Sequence, residues 1–182
     1  MKNTLVFFAF VLVAIVLPLR ASADPGLRCE WRKVAFDTPV AFSAPQKAGM
    51  DAVTLLLPET AAPGSGRLEI TLVSIPKAMR EGMGMKSDDE LAGYVKSTFL
   101  GTAKPAERTV ERTFIGKKVA GGVQNVKIPR KAELTLFLIP LSGEDTLALA
   151  LVRDAAVPAD EAESVLGTIS RTLTEIPEKK SE

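Results

Sequence analysis

Apolar and polar residues alternate through "RLEITLVSIP", residues 67–76. Leu68, Ile70 and Leu72 fall on one face of an extended chain, and Glu69, Thr71 and Val73 on the other, which predicts a strand. Upstream, "WRKVAF" (31–36) and "PVAFSAP" (39–45) read as two short strands broken by "DTP". "AVTLLLPE" (52–59) reads as a third, stopped by Pro58, which cannot donate to a ladder. "ETAAPGSGR" has the turn residues of an exposed loop.

The pattern then changes period. "SDDE" is a capping box, with Ser87 as N-cap and Glu90 three residues on. Leu91, Tyr94, Val95, Thr98 and Phe99 follow at helical spacing, and Gly101 is the expected stop. Four strands are predicted next. "RTVERTFI" (108–115) is polar on both faces, as an edge strand can be. "KVAGGVQNVKI" (118–128) holds a Gly121-Gly122 pair that suggests a bulge or bend. "AELTLFLIPL" and "TLALALVR" are joined by "SGED" as a hairpin, apolar on both faces and so central in a covered sheet. Asp160 and Glu163 suggest the start of a last helix, whose apolar stripe is Ala162, Val165, Leu166, Ile169 and Leu173.

Hairpins without βαβ alternation imply an α+β domain on an antiparallel sheet, and two amphipathic helices suggest that helices flank both of its faces. The layout resembles the PsbP-like sandwich of an extrinsic photosystem protein family and of small bacterial exported proteins. The likeness is carried by "VAFSAP", "DELAGYVKSTF", "GKKVAGGVQNVKI" into "ELTLFLIPL", and "AESVLGTISRTL", across Trp31 to Thr174. It implies a helix-flanked sheet and a scaffold or interaction role, and it transfers no catalytic residues.

The first residues set the expected compartment. Lys2 precedes an apolar run from Leu5 to Leu19, and "ASA" at 21–23 is a small-x-small cleavage site. Residues 1–23 are therefore read as a secretory signal, 24–176 as one domain and 177–182 as a polar tail. The expected product is exported, periplasmic or extracellular, with no stable transmembrane span after cleavage. Cys29 stands too far from the cleavage point for lipidation, and as the single Cys it can pair only with another molecule.

Composition removes chemistry more than it supplies it. The chain contains no His. That excludes Ser-His and Cys-His pairs, His-ligated zinc and the commonest general base. Lys2 and Arg20 lie in the leader, so of 23 basic and 22 acidic residues the remainder carries one net negative charge. Such a balance gives no reason to expect nucleic acid. "SIPK", "PGSGR" and "GKK" lack the companions that would make them catalytic or phosphate-binding motifs.

Two features remain. Met79, Met83 and Met85 sit in a Gly-containing loop; thioethers suit Cu(I), but they equally suit a mobile apolar lip, and neither metal nor cofactor is expected. Residues 108–131 hold Arg108, Arg112, Lys117, Lys118, Lys127, Arg130 and Lys131 against Glu111 alone, a charge of +6. Gathered on one hairpin edge, they would contact an envelope protein or an anionic surface component, or else guard the edge against sheet-to-sheet pairing. The sequence thus points to a non-enzymatic exported binding module. Its rivals are a carrier of a small apolar ligand between sheet and helix, and a small hydrolase working without His.

Overall fold

The computed structural model describes residues 27–39, 46–47, 51–56, 66–127 and 131–177. Ten strands and three helices follow in the order β1 (Leu27–Trp31), β2 (Val34–Thr38), β3 (Gln46–Lys47), β4 (Ala52–Leu56), β5 (Leu68–Ile75), α1 (Lys77–Gly82), α2 (Asp88–Phe99), β6 (Arg108–Phe114), β7 (Lys117–Lys127), β8 (Lys131–Pro140), β9 (Thr146–Asp154), α3 (Ala159–Thr172) and β10 (Thr174–Glu175). Seven strands form one antiparallel sheet in the order β3-β4-β5-β9-β8-β7-β6, and β1-β2-β10 form a second.

That second sheet corrects the expected architecture. A sheet with helices on both faces was predicted; the molecule is mostly antiparallel β, in two sheets, with three short helices. The stretch 31–36 is not one strand. It turns at Arg32-Lys33, with Arg32 at φ 53°, and folds back so that Trp31 pairs with Val34. After α3 the chain returns to this hairpin, pairing Thr174 with Ala35. One face of the large sheet is thus covered jointly by the small sheet and α3. Helix α1 buries no side chain, so it adds no helical layer. The expected strand at 39–45 lies, apart from Pro39, outside the described residues.

Two cores result, one per face. Val34 and Phe36 of the small sheet meet Ile70, Leu72, Phe137 and Leu149 of the large one, with Val165 and Ile169 of α3. On the other face Leu91 and Val95 of α2 lie on Val73, Ile75, Leu134, Leu136 and Ala150. Each large aliphatic side chain so buried stabilises the fold by about 1.5–3 kcal/mol. The stripe expected on α3 is buried throughout; on α2, Thr98 is exposed while Tyr94 and Phe99 stack edge-on at 5.9 Å.

Local signals explain several ends. The capping box is present: Glu90 N donates to Ser87 Oγ (3.2 Å), and Ser87 N to Glu90 Oε2 (3.1 Å). For α3 the sequence reading was off, since Pro158 is the N-cap and makes no side-chain cap. Helix α1, absent from the sequence reading, is capped from a distance. Lys77 N donates to Asp145 Oδ1 (2.9 Å) from the β8–β9 turn, and Lys33 Nζ binds Asp145 Oδ2 (2.9 Å). These two bonds hold the Asp145 carboxyl below its ordinary range, the backbone donor first and the lysine second.

The glycine pair of β7 makes no bulge. Gly121 stands opposite Val110 and Phe137, and Gly122 opposite Thr109 and Leu136, in unbroken register. What Gly121 provides is room. A Cβ there would lie 2.4 Å from Cε1 of Phe137, whose ring stacks edge-on against Phe114 at 5.0 Å.

Candidate functional site: a groove beside α2 and a basic hairpin

Strands β6 and β7 join through Ile115-Gly116, both at positive φ (49° and 73°), the two-residue turn that suits hairpin twist. Strand β6 is the edge of the large sheet, where the sequence placed it. The charges do not gather there as one free patch. Alternation puts Arg108 and Arg112 on the α3 face of β6, and each meets an acid. Arg108 binds Glu133 Oε2 on β8 (2.9 Å), and Arg112 binds Glu163 on α3. Lys117 Nζ donates to the Pro140 carbonyl (3.4 Å). Lys118 points to the opposite face. Lys127 and Lys131 stand directly opposite one another at the far end of the β7–β8 pair, both exposed and without an ion pair among the described residues. Arg130 lies outside the described residues.

The methionines are separated by environment. Met79 and Met85 pack against the core under α2, while Met83 is 50% exposed. Their residues belong to α1 and the turn after it rather than to a free loop. Arg80 fastens this turn, its Nε donating to the Met85 carbonyl (3.4 Å) and its guanidinium binding Asp88 (3.1 Å). Cys29 is half-buried beside the other core, and burial pushes its thiol up, the hydrogen bond to Thr38 opposing only in part. A neutral thiol is a poor nucleophile.

The sequence raised a pocket between sheet and helix only as a rival reading and named no residue as lining it. A groove of about 870 Å³ runs between α2 and the β6–β8 end of the sheet. Ala120 and Gly122 of β7 and Leu136 and Leu138 of β8 form its floor, and Ala92 and Gly93 of α2 one wall. It exists because α2 lies over β8 and its neighbours while β7 presents little side-chain bulk beside it. Asp88, Asp89, Lys96 and Lys118 stand at its margin.

The loop 101–107 closes one end and is well tied. Gln124 is 2% exposed; with its amide nitrogen turned inward it donates to the carbonyls of Lys104 (2.8 Å) and Pro105 (3.2 Å). Lys96 Nζ donates to the same Lys104 carbonyl (2.8 Å), and Asn125 Nδ2 donates to Glu107 Oε2 (2.7 Å). The loop approaches so closely that a Cβ on Gly122 would lie 3.0 Å from Ala106 Cβ. A run of Ala and Gly flanking an amphipathic helix was the available sequence signal, but it carries no meaning until the helix is placed.

Among the described residues no helix is long and apolar enough to cross a membrane. No protein-family model matches the chain, and no curated protein does. Among solved structures, a protein from Bacteroides thetaiotaomicron is similar at 12% identity with a TM-score of 0.46, over 82% of this chain and 47% of that one. The chain therefore spans about half the length of that protein.

Proposed function

We propose that this protein is a non-catalytic binding module, exported to the cell envelope, that holds an elongated apolar ligand such as an acyl chain in the groove beside α2. The observation that carries this reading is the groove's size together with its floor, where Ala120 is exposed and Leu138 half-exposed. Its volume of about 870 Å³ falls in the usual range of small-molecule sites, which are mainly apolar with a few polar groups at the margin. Apolar contact over such a floor is worth about 25 cal/mol per Å² removed from water. Lys96 and Lys118 are balanced at the margin by Asp88 and Asp89, so shape and apolar contact set the preference more than net charge does. The basic edge is the weaker candidate, because Arg108 and Arg112 are already neutralised within the chain. Hydrolysis has less support still: there is no His, and Asp88 is engaged by Arg80.

Titration of the exported, purified protein with a fluorescent acyl probe tests the reading. Saturable binding is expected. Ala120→Trp, which fills an exposed position on the floor, should weaken it about tenfold or more, the effect of losing about 1.4 kcal/mol. Met83→Leu, outside the groove, should leave it unchanged. Unsaturable binding, or equal affinity in Ala120→Trp, would overturn the proposal.

A further inference from the structure

The β7–β8 end of the sheet carries an arrangement that folding alone does not reward. Lys127 pairs with Lys131 in register, so two ammonium groups stand on one face with their Cα atoms about 5 Å apart. Like charges directly opposite in a sheet are destabilising. The described carboxylates around them are committed elsewhere. Glu133, the next residue on that face, takes both Arg108 (2.9 Å) and Arg153 (3.5 Å). Glu107 is held by Asn125, the residue opposite Glu133. Asp154, opposite Ala132, accepts the backbone N–H of Arg67 (3.0 Å). One face of this strand end therefore presents two ammonium groups with no ion pair among the described residues, beside an arginine pair that shares a single carboxylate. Edge protection does not account for them, because β7 and β8 are interior strands of the sheet.

We infer that Lys127 and Lys131 form a docking point for the phosphate headgroups of an anionic lipid surface. Ammonium groups on flexible stems bind phosphate as point charges without demanding one geometry, which suits a fluid array of headgroups. Each lysine near an anionic surface adds to the attraction, and salt screens it. Gln124 lies three residues from Lys127, so by strand alternation the two lysines stand on the face of the sheet opposite the groove. The docking inference does not depend on what fills the groove.

The test is co-sedimentation of the purified protein with vesicles of phosphatidylglycerol and phosphatidylcholine, against vesicles of phosphatidylcholine alone. The expected result is binding to the anionic vesicles only, reduced at least about fivefold in Lys127→Gln/Lys131→Gln and weakened by added salt. Lys86→Gln/Lys117→Gln removes the same charge elsewhere and should retain most of the binding, with circular dichroism showing both variants folded. Equal binding by the Lys127/Lys131 variant and the parent would overturn the inference. So would equal binding to both vesicle types, equal loss in the two variants, or full competition by inorganic phosphate at an ionic strength where sodium chloride has no effect. The last outcome would assign the lysines to free phosphate. Acyl-probe titration of the same variant separates the two proposals, since loss of docking with probe affinity intact leaves the groove reading untouched.

Discussion

Asp145 shows how one side chain can serve three elements. It caps α1 through Lys77 N, grips the β1–β2 turn through Lys33, and itself belongs to the connection between β8 and β9. Asp145→Ala should lower stability at neutral pH by about 1–2 kcal/mol, the range for a lost cap. Because its folded-state pKa is depressed from 3.8, its electrostatic contribution is complete above that value and is lost as pH falls through the lower folded pKa. Urea titrations should therefore find a constant gap between parent and variant from pH 5 to 8, narrowing below about pH 4. Gly121 is the other singular position. Gly121→Ala would drive a methyl into the Phe137 ring and should cost about 1–3 kcal/mol. Phe137→Leu in that background should recover part of the loss, seen as a favourable coupling in a double-mutant cycle.

At the scale of elements, α2 was legible because its start is written in four consecutive residues. Ser87→Ala should lower the unfolding free energy by about 1 kcal/mol, checked by the denaturant midpoint at unchanged slope. Helix α1 was not legible, because its cap arrives from 68 residues away. Strand β6 lies between these cases. Its polar alternation announced an edge, and the large sheet ends there. The same alternation blunts the edge against a second copy: antiparallel self-pairing centred on Glu111 would set two carboxylates opposite each other, and centring on Arg112 would set two guanidiniums. Replacing Arg108, Glu111 and Arg112 by Thr should therefore raise the fraction of dimer and larger species in analytical ultracentrifugation. An unchanged monomer would show that these charges do not guard the edge.

The whole molecule depends on contacts that close late in the chain. Helix α3 and β10 cover the core begun by β2, with Asp37 N donating to Thr172 Oγ1 (2.8 Å) and Thr174 pairing with Ala35. A chain ending at Val157 leaves Phe36, Leu149 and Leu151 without Val165, Leu166 and Ile169 above them. Such a truncation should show no cooperative thermal transition by circular dichroism, because one face of the large sheet would lose much of its apolar cover.

Period and punctuation are local, and by themselves they determined strands β4 to β9, the antiparallel hairpins, helix α2 with its cap and the buried stripe of α3. Leu68, Ile70 and Leu72 announce their shared face without help from any other part of the chain. Absence of His likewise needs no structure to exclude a large part of enzyme chemistry. Only the tertiary structure decided that β1 and β2 leave the main sheet, since the Arg32-Lys33 turn carries no Gly, Asn or Pro to mark it. It alone decided that the groove exists, because that space depends on where α2 comes to rest over β7 and β8. It also divided the basic segment. Arg112 meets Glu163 from 51 residues away and Arg108 meets Glu133 from 25, whereas Lys127 and Lys131 meet each other. Charge summed along a sequence counts neighbours in the chain. Whether a charge is neutralised depends on neighbours in space, and those are set by strand register and helix placement.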